Sequence, residues 1–301
     1  HSSFRKKLDK DFDARNDKYS TAATDNLVEI LIDSNLNKSN LNLERLHGWN
    51  NCLFEHTQYS KLNKIDIAKF RIHSDMEVVS GAIGHEKVHY KAIPVEKIYE
   101  DIENFLKYCN ESSENIYIKA AIVHIWFVII HPYDDGNGRI ARAITDYILS
   151  KNSSNTEFKL YSISTAINKD RKAYYDILDK TTNLFLNKDF DLTSWLIWHL
   201  NILNNAMKQS LKNIEYLIQK TKFWDKHRSK ALNERQIKVL NKMLDMGNEN
   251  FEGELNTKKY ISLTKVSKAT AVRDITALVE FGCIKQIDGT AGRNVRYEIK
   301  F

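Results

Sequence analysis

Twelve consecutive residues, from His131 to Arg142, combine side chains that can act on a phosphate group. They run His-Pro-Tyr-Asp-Asp-Gly-Asn-Gly-Arg-Ile-Ala-Arg. Gly136 and Gly138, on either side of Asn137, allow the backbone to bend so that successive N–H groups point inward. Such a nest, followed by the N-terminus of a helix, attracts phosphate. The segment therefore predicts a nucleotide site.

The other polar side chains of this segment suit separate roles at such a site. Arg139 and Arg142 are three residues apart, so on a helix they share one face and can hold the same anion. His131 follows a buried helix, where an imidazole can take a proton from an attacking hydroxyl. Asp135 offers a hard oxygen ligand to a Mg²⁺ ion whose other ligands are phosphate oxygens and water. Asp134 is expected to face solvent.

A simpler interpretation of the segment is a tight turn between two helices, stabilised by its Asp and Gly residues. A turn by itself requires neither the histidine, nor the asparagine, nor two arginines at these offsets. Nucleotide binding is therefore the favoured interpretation.

Helices are predicted on both sides of this segment. The run 116–130 is apolar nearly all the way round, which predicts a central helix buried against others. His124 in this run is expected to be a core histidine with a local partner, because nothing reactive lies at matching spacing. Two short β-like runs on either side of Gly81 and Gly84 predict a hairpin. Further helices are predicted over 25–32, 43–50, 95–109, about 138–150, 170–182 and from about 193 to 211.

The C-terminal part of the chain has a different pattern. A basic polar stretch over 223–230 predicts a linker. Residues 231–301 then predict two helices, the first capped by Asn233, a turn, a third helix capped by Ser267 and a closing hairpin, which is the order of a winged helix-turn-helix. The predicted fold class is mainly α, with a helical core that carries a β-hairpin and a small C-terminal winged-helix (α+β) domain.

The positive charge of the chain is concentrated in this C-terminal part. The net charge is +6, and residues 226–301 hold 15 Lys and Arg against 9 Asp and Glu, while the rest of the chain holds 30 of each. A basic end domain beside a neutral body favours a polyanion partner. Asp274 and Glu280 interrupt the basic helix, so dimerisation or protein contact stays open, as does a homodimer. The candidate DNA contacts are Lys268, Thr270, Arg273, Arg293 and Arg296.

Composition excludes several classes of protein. Hydrophobic residues make up 42% of the chain and charged residues 28%, which is typical of soluble globular proteins rather than disordered or membrane proteins. The most apolar run, 120–130, is too short to span a bilayer. Three scattered cysteines and no visible signal peptide predict buried thiols in a reducing cytoplasm. The chain begins with His rather than Met, which indicates a fragment.

The segment 131–142 resembles the signature of the Fic family, His-Pro-Phe-x-(Asp/Glu)-Gly-Asn-Gly-Arg-x-x-Arg, and eleven of its twelve positions fit. The departure is Tyr133, which keeps the ring as a core anchor and adds a hydroxyl that needs a partner or water. The resemblance extends over about residues 40–220. It implies a Fic core over 41–222, preceded by an N-terminal helical segment over 1–40.

This resemblance implies transfer of AMP from ATP to a Ser, Thr or Tyr hydroxyl on a target protein, with the chain itself as one candidate target. His131 would be the general base and Asp135 would hold Mg²⁺. Phosphorylating relatives carry Lys at the position of Gly138, so adenylylation is favoured, while removal of AMP by the same protein stays open. The residues implied in nucleotide binding are Gly136, Asn137, Gly138, Arg139 and Arg142. The hairpin would be a flap that aligns the target by strand addition, through Val78, Val79, Ser80, Gly81, Val88, His89 and Tyr90.

Many Fic proteins are inhibited by a helix with the pattern (Ser/Thr)-x-x-x-Glu-(Gly/Asn), whose glutamate pairs with the second signature arginine, here Arg142. The pattern does not occur in the 301 residues. We hypothesise that an inhibitory helix preceded His1. The alternative function is a DNA-binding transcriptional regulator that uses the Fic core as a nucleotide sensor. An intact His131 favours the enzyme, because a sensor needs the phosphate loop but not the base.

Overall fold

The computed structural model describes residues 22–54, 66–73, 76–80, 87–151, 161–183, 187–245 and 254–301. The chain forms two compact units, one ending at Met207 and one beginning at Lys208. The elements of the first unit are α1 (Ala22–Leu36), α2 (Leu43–Phe54), β1 (Glu77–Ser80), β2 (Lys87–Lys91), α3 (Ile98–Glu111), α4 (Ile116–Ile130), α5 (Asn137–Ser150), α6 (Ile163–Lys169), α7 (Arg171–Thr182) and the start of α8 (Thr193–His227). The second unit contains the rest of α8 and α9 (Glu234–Leu244), α10 (Thr257–Thr264), α11 (Lys268–Glu280), β3 (Ile284–Gln286) and β4 (Tyr297–Ile299).

α4 forms the centre of the first unit. Asn115 caps its N-terminus by accepting a hydrogen bond from the Tyr117 N–H, and the helix packs against α3 and α5. The indole N–H of Trp195 in α8 donates to the carbonyl of Ala121 at 2.8 Å. A helix that is hydrophobic all round must be buried, and the prediction of a mainly α fold with a central helix over 116–130 is confirmed.

α5 is held at its C-terminal end by α1 and the turn that follows α1. The Ser150 hydroxyl donates to the Ser34 carbonyl at 3.2 Å, and Lys38 Nζ donates to the Ser150 carbonyl at 2.6 Å. Arg45 of α2 secures the same corner through Asp33, whose carboxylate lies 2.7 Å from Arg45 Nε. These contacts join the C-terminal end of α5 to α1 and α2.

The predicted hairpin is present as the antiparallel pair of β1 and β2. Glu77 lies opposite Lys91 and Ser80 opposite Lys87, with an irregularity in register between Val78 and Val79. β2 lies beside α7. The turn that joins the strands, including Gly81 and Gly84, lies outside the described residues.

α6 was not predicted from the sequence. It is a seven-residue helix capped by the Ser162 side chain, which accepts from the Thr165 N–H. So short a segment carries too little periodicity to distinguish it from a loop. α7 starts immediately afterwards, with Asp170 as its cap.

The second unit has its own core, which includes Phe223, Leu240, Tyr260 and Leu278. Its elements follow the predicted order of three helices and a hairpin, with the predicted cap at Asn233. The linker predicted over 223–230 differs from the structure, because α8 continues to His227 and Phe223 is buried. The sequence suggested a linker because Phe223 stands among basic and polar residues, and its packing into the core depends on residues far along the chain.

Among the helices that the structure describes, none combines the length and apolarity that crossing a bilayer requires.

Candidate nucleotide site

The loop between α4 and α5 is closed by the side chain of Asn137. Its Oδ1 accepts a hydrogen bond from the Tyr133 N–H at 3.0 Å, and its Nδ2 donates to the Tyr133 carbonyl at 2.7 Å. Asn137 is only 2% exposed, so its amide is committed to the loop. What it can offer a ligand is its backbone N–H.

The N-terminus of α5 presents backbone donors. The N–H groups of Arg139 and Ile140 both donate to the Gly136 carbonyl at 3.0 Å. Within the described part of the chain, the N–H groups of Asn137 and Gly138 have no hydrogen-bond acceptor. Free N–H groups at the positive end of a helix bind anions. The backbone at the N-terminus of α5 therefore offers two donors that suit an anion, and the phosphate nest stays a prediction.

His131 ends α4 in the left-handed conformation, with φ 48° and ψ 57°. Its Nδ1 lies 3.1 Å from the Val128 carbonyl oxygen. Since a carbonyl can only accept, Nδ1 carries the proton and Nε2 keeps its lone pair. Burial lowers the pKa of His131 to about 4, while the bond to Val128 opposes that shift. The imidazole is therefore neutral at physiological pH and able to accept a proton.

Asp135 is tied to the loop by one carboxylate oxygen and leaves the other towards Arg139. Oδ1 accepts from the Gly136 N–H at 2.5 Å, and Oδ2 lies 3.6 Å from Arg139 Nη2. The Arg139 guanidinium also lies over the ring of Phe54, 4.9 Å from its centroid. Both charged side chains are partly exposed, so an incoming ligand can reach them.

The carboxylate of Asp135 suits a Mg²⁺ ion that takes only one ligand from the protein. Among the described residues, no group of three or more His, Cys, Asp or Glu could hold a metal on its own. One accessible carboxylate beside a phosphate nest suits Mg²⁺ that takes most of its ligands from phosphates and water.

Arg142 is held from below by a buried chain of polar groups. The Arg142 guanidinium interacts electrostatically with Tyr174: burial raises the pKa of the Tyr174 hydroxyl to about 12, and the positive charge of Arg142 opposes this shift. The Tyr174 hydroxyl lies 3.1 Å from Nε2 of His124, and Nδ1 of His124 lies 3.2 Å from the Thr145 hydroxyl. His124 is thus the core histidine with local partners that was predicted. Its link to Arg142 through Tyr174 was not.

Tyr133, the departure from the family signature, has a specific partner. The ring is completely buried, and its hydroxyl lies 3.0 Å from Nδ1 of His47. Phe70 packs against both rings. Burial raises the pKa of Tyr133 and lowers the pKa of His47. The sequence indicated that the hydroxyl needs a partner, but no signal in it pointed to His47.

Asp134 does not simply face solvent as expected. Its Oδ2 accepts a hydrogen bond from the Asp66 N–H at 3.0 Å. This bond fixes the segment before β1 to the site loop.

Six of the seven predicted flap residues lie in the two strands of the hairpin. Val78, Val79 and Ser80 lie in β1, and Val88, His89 and Tyr90 lie in β2, while Gly81 is outside the described residues. Tyr90 is half-buried, and burial raises its pKa to about 12.

The candidate DNA contacts are not all free side chains. Lys268 and Arg273 are exposed on α11. The Thr270 hydroxyl is 3.0 Å from that of Ser267, which caps the helix. Arg296 is exposed but lies 2.7 Å from a carboxylate oxygen of Glu254. The side chain of Arg293 is not among those that the structure describes.

Asp274 was expected to interrupt the basic face of α11, and this expectation is wrong. Asp274 is buried and accepts hydrogen bonds from Arg235 Nε at 2.9 Å and from the Tyr260 hydroxyl at 3.0 Å. It points into the second unit and anchors α11.

The loop between α4 and α5 thus has a neutral histidine at one end and an open helix N-terminus with two arginines at the other, an arrangement that suits phosphate binding and proton uptake. Residues 40–149 match the sequence model of the Fic/DOC family. The chain therefore contains a Fic/DOC family domain over this range, and the resemblance inferred from the signature is confirmed there.

Similar proteins have been described in several organisms. A probable protein adenylyltransferase of Aquifex aeolicus is 38% identical over 58 residues, which are 19% of this chain and 18% of that protein. A Fic family protein from Desulfovibrio desulfuricans has 16% identity and a TM-score of 0.49, with 93% of this chain and 76% of that chain covered. A Fic domain containing signaling protein from Bacteroides thetaiotaomicron has the same identity and TM-score, with 70% and 77% covered.

Proposed function

We propose that this chain transfers AMP from ATP to a Ser, Thr or Tyr hydroxyl of a target protein. The observation that carries the proposal is the neutral His131, with Nδ1 bound to the Val128 carbonyl, on the same loop as the open N-terminus of α5. A phosphate sensor needs the second feature but not the first. The Fic/DOC domain and the short match to a probable adenylyltransferase support the same reaction.

The proposed reaction begins with proton transfer. His131 Nε2 takes the proton of the target hydroxyl while the hydroxyl oxygen forms a bond to the α-phosphorus of ATP. The bond from that phosphorus to the oxygen bridging to the β-phosphate breaks, and pyrophosphate leaves. The products are the AMP ester of the target and pyrophosphate, and the proton stays on His131 until solvent takes it.

Charge on the leaving pyrophosphate is stabilised by groups that are already in place. The free N–H groups of Asn137 and Gly138 act as fixed donors, and Arg139 and Arg142 supply positive charge. Mg²⁺, when bound through Asp135, would neutralise further phosphate charge. In this reaction Asn137 has a second task, since its side chain keeps the loop closed.

The target is proposed to align with the β1–β2 hairpin. A two-stranded sheet has unpaired edges, and an extended segment can add to such an edge through backbone hydrogen bonds. Backbone pairing does not depend on the target side chains, so it presents a hydroxyl without specifying the sequence around it.

Labelled ATP tests the proposed reaction. Incubation of the protein with Mg²⁺, a cell lysate and either α- or γ-labelled ATP should label a protein from the α-labelled nucleotide only. Labelling from γ-labelled ATP would indicate phosphoryl transfer instead. No labelling from either nucleotide, by protein that binds ATP, would favour the nucleotide-sensor function.

We also propose that the second unit binds DNA. The inward position of Asp274 leaves Lys268, Arg273 and the small side chain of Thr276 on the exposed side of α11. The excess of basic residues after residue 226 lies in the same unit, and basic side chains on a recognition helix contact phosphates and bases. Arg296 contributes less to this proposal, since Glu254 partly neutralises it.

Salt-dependent binding tests the DNA proposal. The full chain should bind a short labelled duplex, with an affinity that falls steeply between about 50 and 200 mM salt. Replacing Lys268 and Arg273 by Ala should weaken binding and reduce the salt slope by about 1 for each phosphate that the protein no longer neutralises. Lys238→Ala, an exposed lysine on α9, is the matched control and should change neither. Equal binding by all variants would contradict the proposal, and self-association without DNA binding would favour dimerisation.

A further inference from the structure

Arg71 is a charged side chain that is only 1% exposed. Every hydrogen bond that its guanidinium makes to a described residue goes to a backbone carbonyl. Nε donates to His131 at 2.8 Å, Nη1 to His73 at 2.6 Å, and Nη2 to Ile93 at 2.5 Å, with Ile130 at 3.5 Å. These carbonyls belong to two different parts of the first unit.

The first part is the end of α4, which carries the proposed base. The last carbonyls of a helix lack partners within the helix and form its negative end. Arg71 supplies a donor and a positive charge to the carbonyls of Ile130 and His131. Its own backbone N–H donates to the Pro132 carbonyl at 2.9 Å. The left-handed turn at His131 is therefore held by both the backbone and the side chain of Arg71.

The second part is the base of the β1–β2 hairpin. His73 precedes β1 and Ile93 follows β2, so one guanidinium connects both strand ends. The Ala92 N–H closes the same end by donating to the Met76 carbonyl at 2.9 Å. Arg71 thus bonds both the left-handed turn at His131 and the base of the hairpin that is proposed to present the target.

The burial of Arg71 has an energetic cost, because a charge leaves water. Burial lowers the pKa of Arg71, and the negative charge of Asp134 in the site loop opposes this shift. A planar guanidinium can bond several carbonyls at fixed angles, which the single ammonium of lysine cannot do.

We propose that Arg71 is a positioning residue that sets the placement of the β1–β2 hairpin relative to the imidazole of His131. This proposal rests on the proposed AMP transfer, in which the hairpin presents the hydroxyl and His131 removes its proton. Arg71 touches neither the nucleotide nor the hydroxyl in this role. Its effect is on the distance between base and acceptor, to which the rate of transfer is very sensitive.

The substitutions Arg71→Lys and Arg71→Gln test this role. Lysine keeps the positive charge without the planar guanidinium, and glutamine leaves no buried charge. The acceptor is the protein labelled by α-labelled ATP in the experiment above. At saturating ATP, both variants should transfer AMP about 10- to 100-fold more slowly, while equilibrium binding of ATP stays within about twofold of wild type. The reason is that the hydrogen bonds from the Arg71 side chain to described residues go to the end of α4 and the base of the hairpin, whereas the phosphates bind at the N-terminus of α5.

Arg45→Lys is the matched control. Arg45 also donates to backbone carbonyls, those of Asp33, Asn37 and Ser39, and it lies at the other end of α5. Its substitution should lower stability without changing the transfer rate of the folded protein. Transfer at the wild-type rate by folded Arg71 variants would overturn the proposal, and so would equal losses of ATP affinity and rate. If neither Arg71 variant folds while Arg45→Lys does, Arg71 serves stability only and the proposal is also wrong. A wild-type protein that labels no acceptor would instead count against the proposed function.

Discussion

His131→Ala should reduce the rate of AMP transfer by about 10²- to 10⁴-fold, the usual contribution of a general base. The imidazole has a free lone pair on Nε2, because a hydrogen bond fixes the proton on its opposite nitrogen. ATP affinity should change little, because the arginines and the N–H groups of α5 remain. The measurement is the single-turnover rate with α-labelled ATP, beside equilibrium binding of ATP. Transfer that persists at the wild-type rate would exclude His131 as the base.

The pH dependence of kcat/KM gives an independent check on the same group. The base acts only when neutral, so the rate is lost as pH falls through the pKa of His131 in the free protein. Since burial lowers this pKa to about 4, the rate should show no inflection from His131 between about pH 5.5 and 8. An ordinary histidine would lose half of its activity near pH 6.5. An inflection there would contradict a His131 base whose pKa is this low.

Gly136→Ala should destabilise the first unit and abolish transfer. Gly136 has φ 89°, and a Cβ added there would lie 3.0 Å from Leu53 Cδ1 and 3.1 Å from Phe54 Cε2. The left-handed backbone costs a non-glycine residue about 1–2 kcal/mol, and crowding in a packed site adds about 1–3 kcal/mol. Whether the backbone at residue 136 changes conformation or shifts away from Leu53 and Phe54, the loop that carries the N-terminus of α5 moves.

Unfolding followed by tryptophan fluorescence measures this effect, because four of the five tryptophans, Trp49, Trp126, Trp195 and Trp198, lie in the first unit. Gly138→Ala is the matched control for stability. Among the residues that the structure describes, a Cβ at Gly138 meets only Arg142 Nη1, at 3.5 Å, which is an ordinary contact. Alanine also favours a helix over glycine by up to about 1 kcal/mol. This control should therefore be as stable as wild type or more stable. Equal stability of the two variants would contradict the role of the Gly136 conformation.

The two glycines of the signature have different structural roles, which the sequence alone does not reveal. Both stand beside Asn137 in the sequence, and both were expected to bend the backbone. Only Gly136 is in the left-handed conformation; Gly138 lies inside the first turn of α5. The sequence cannot distinguish them, because the requirement at Gly136 comes from Leu53 and Phe54, which are more than eighty residues away.

The sequence by itself determined the local elements and the chemistry of the loop. The all-round apolar run of α4, the caps at Asn233 and Ser267, and the order of the C-terminal elements follow from short-range patterns, since a helix is specified by periodicity and its ends by hydrogen bonding to neighbours. The types and spacing of the residues from His131 to Arg142 predicted the Fic/DOC domain now matched over 40–149.

Only the tertiary structure decided which distant groups hold that loop. The bond of His47 to Tyr133, the link from His124 through Tyr174 to Arg142, and the carbonyl contacts of Arg71 all join residues far apart in the chain. A histidine, tyrosine or arginine has no periodic signal that identifies its partner. Its orientation follows from the requirement that buried polar groups be hydrogen-bonded, and this can be satisfied only after the helices have packed.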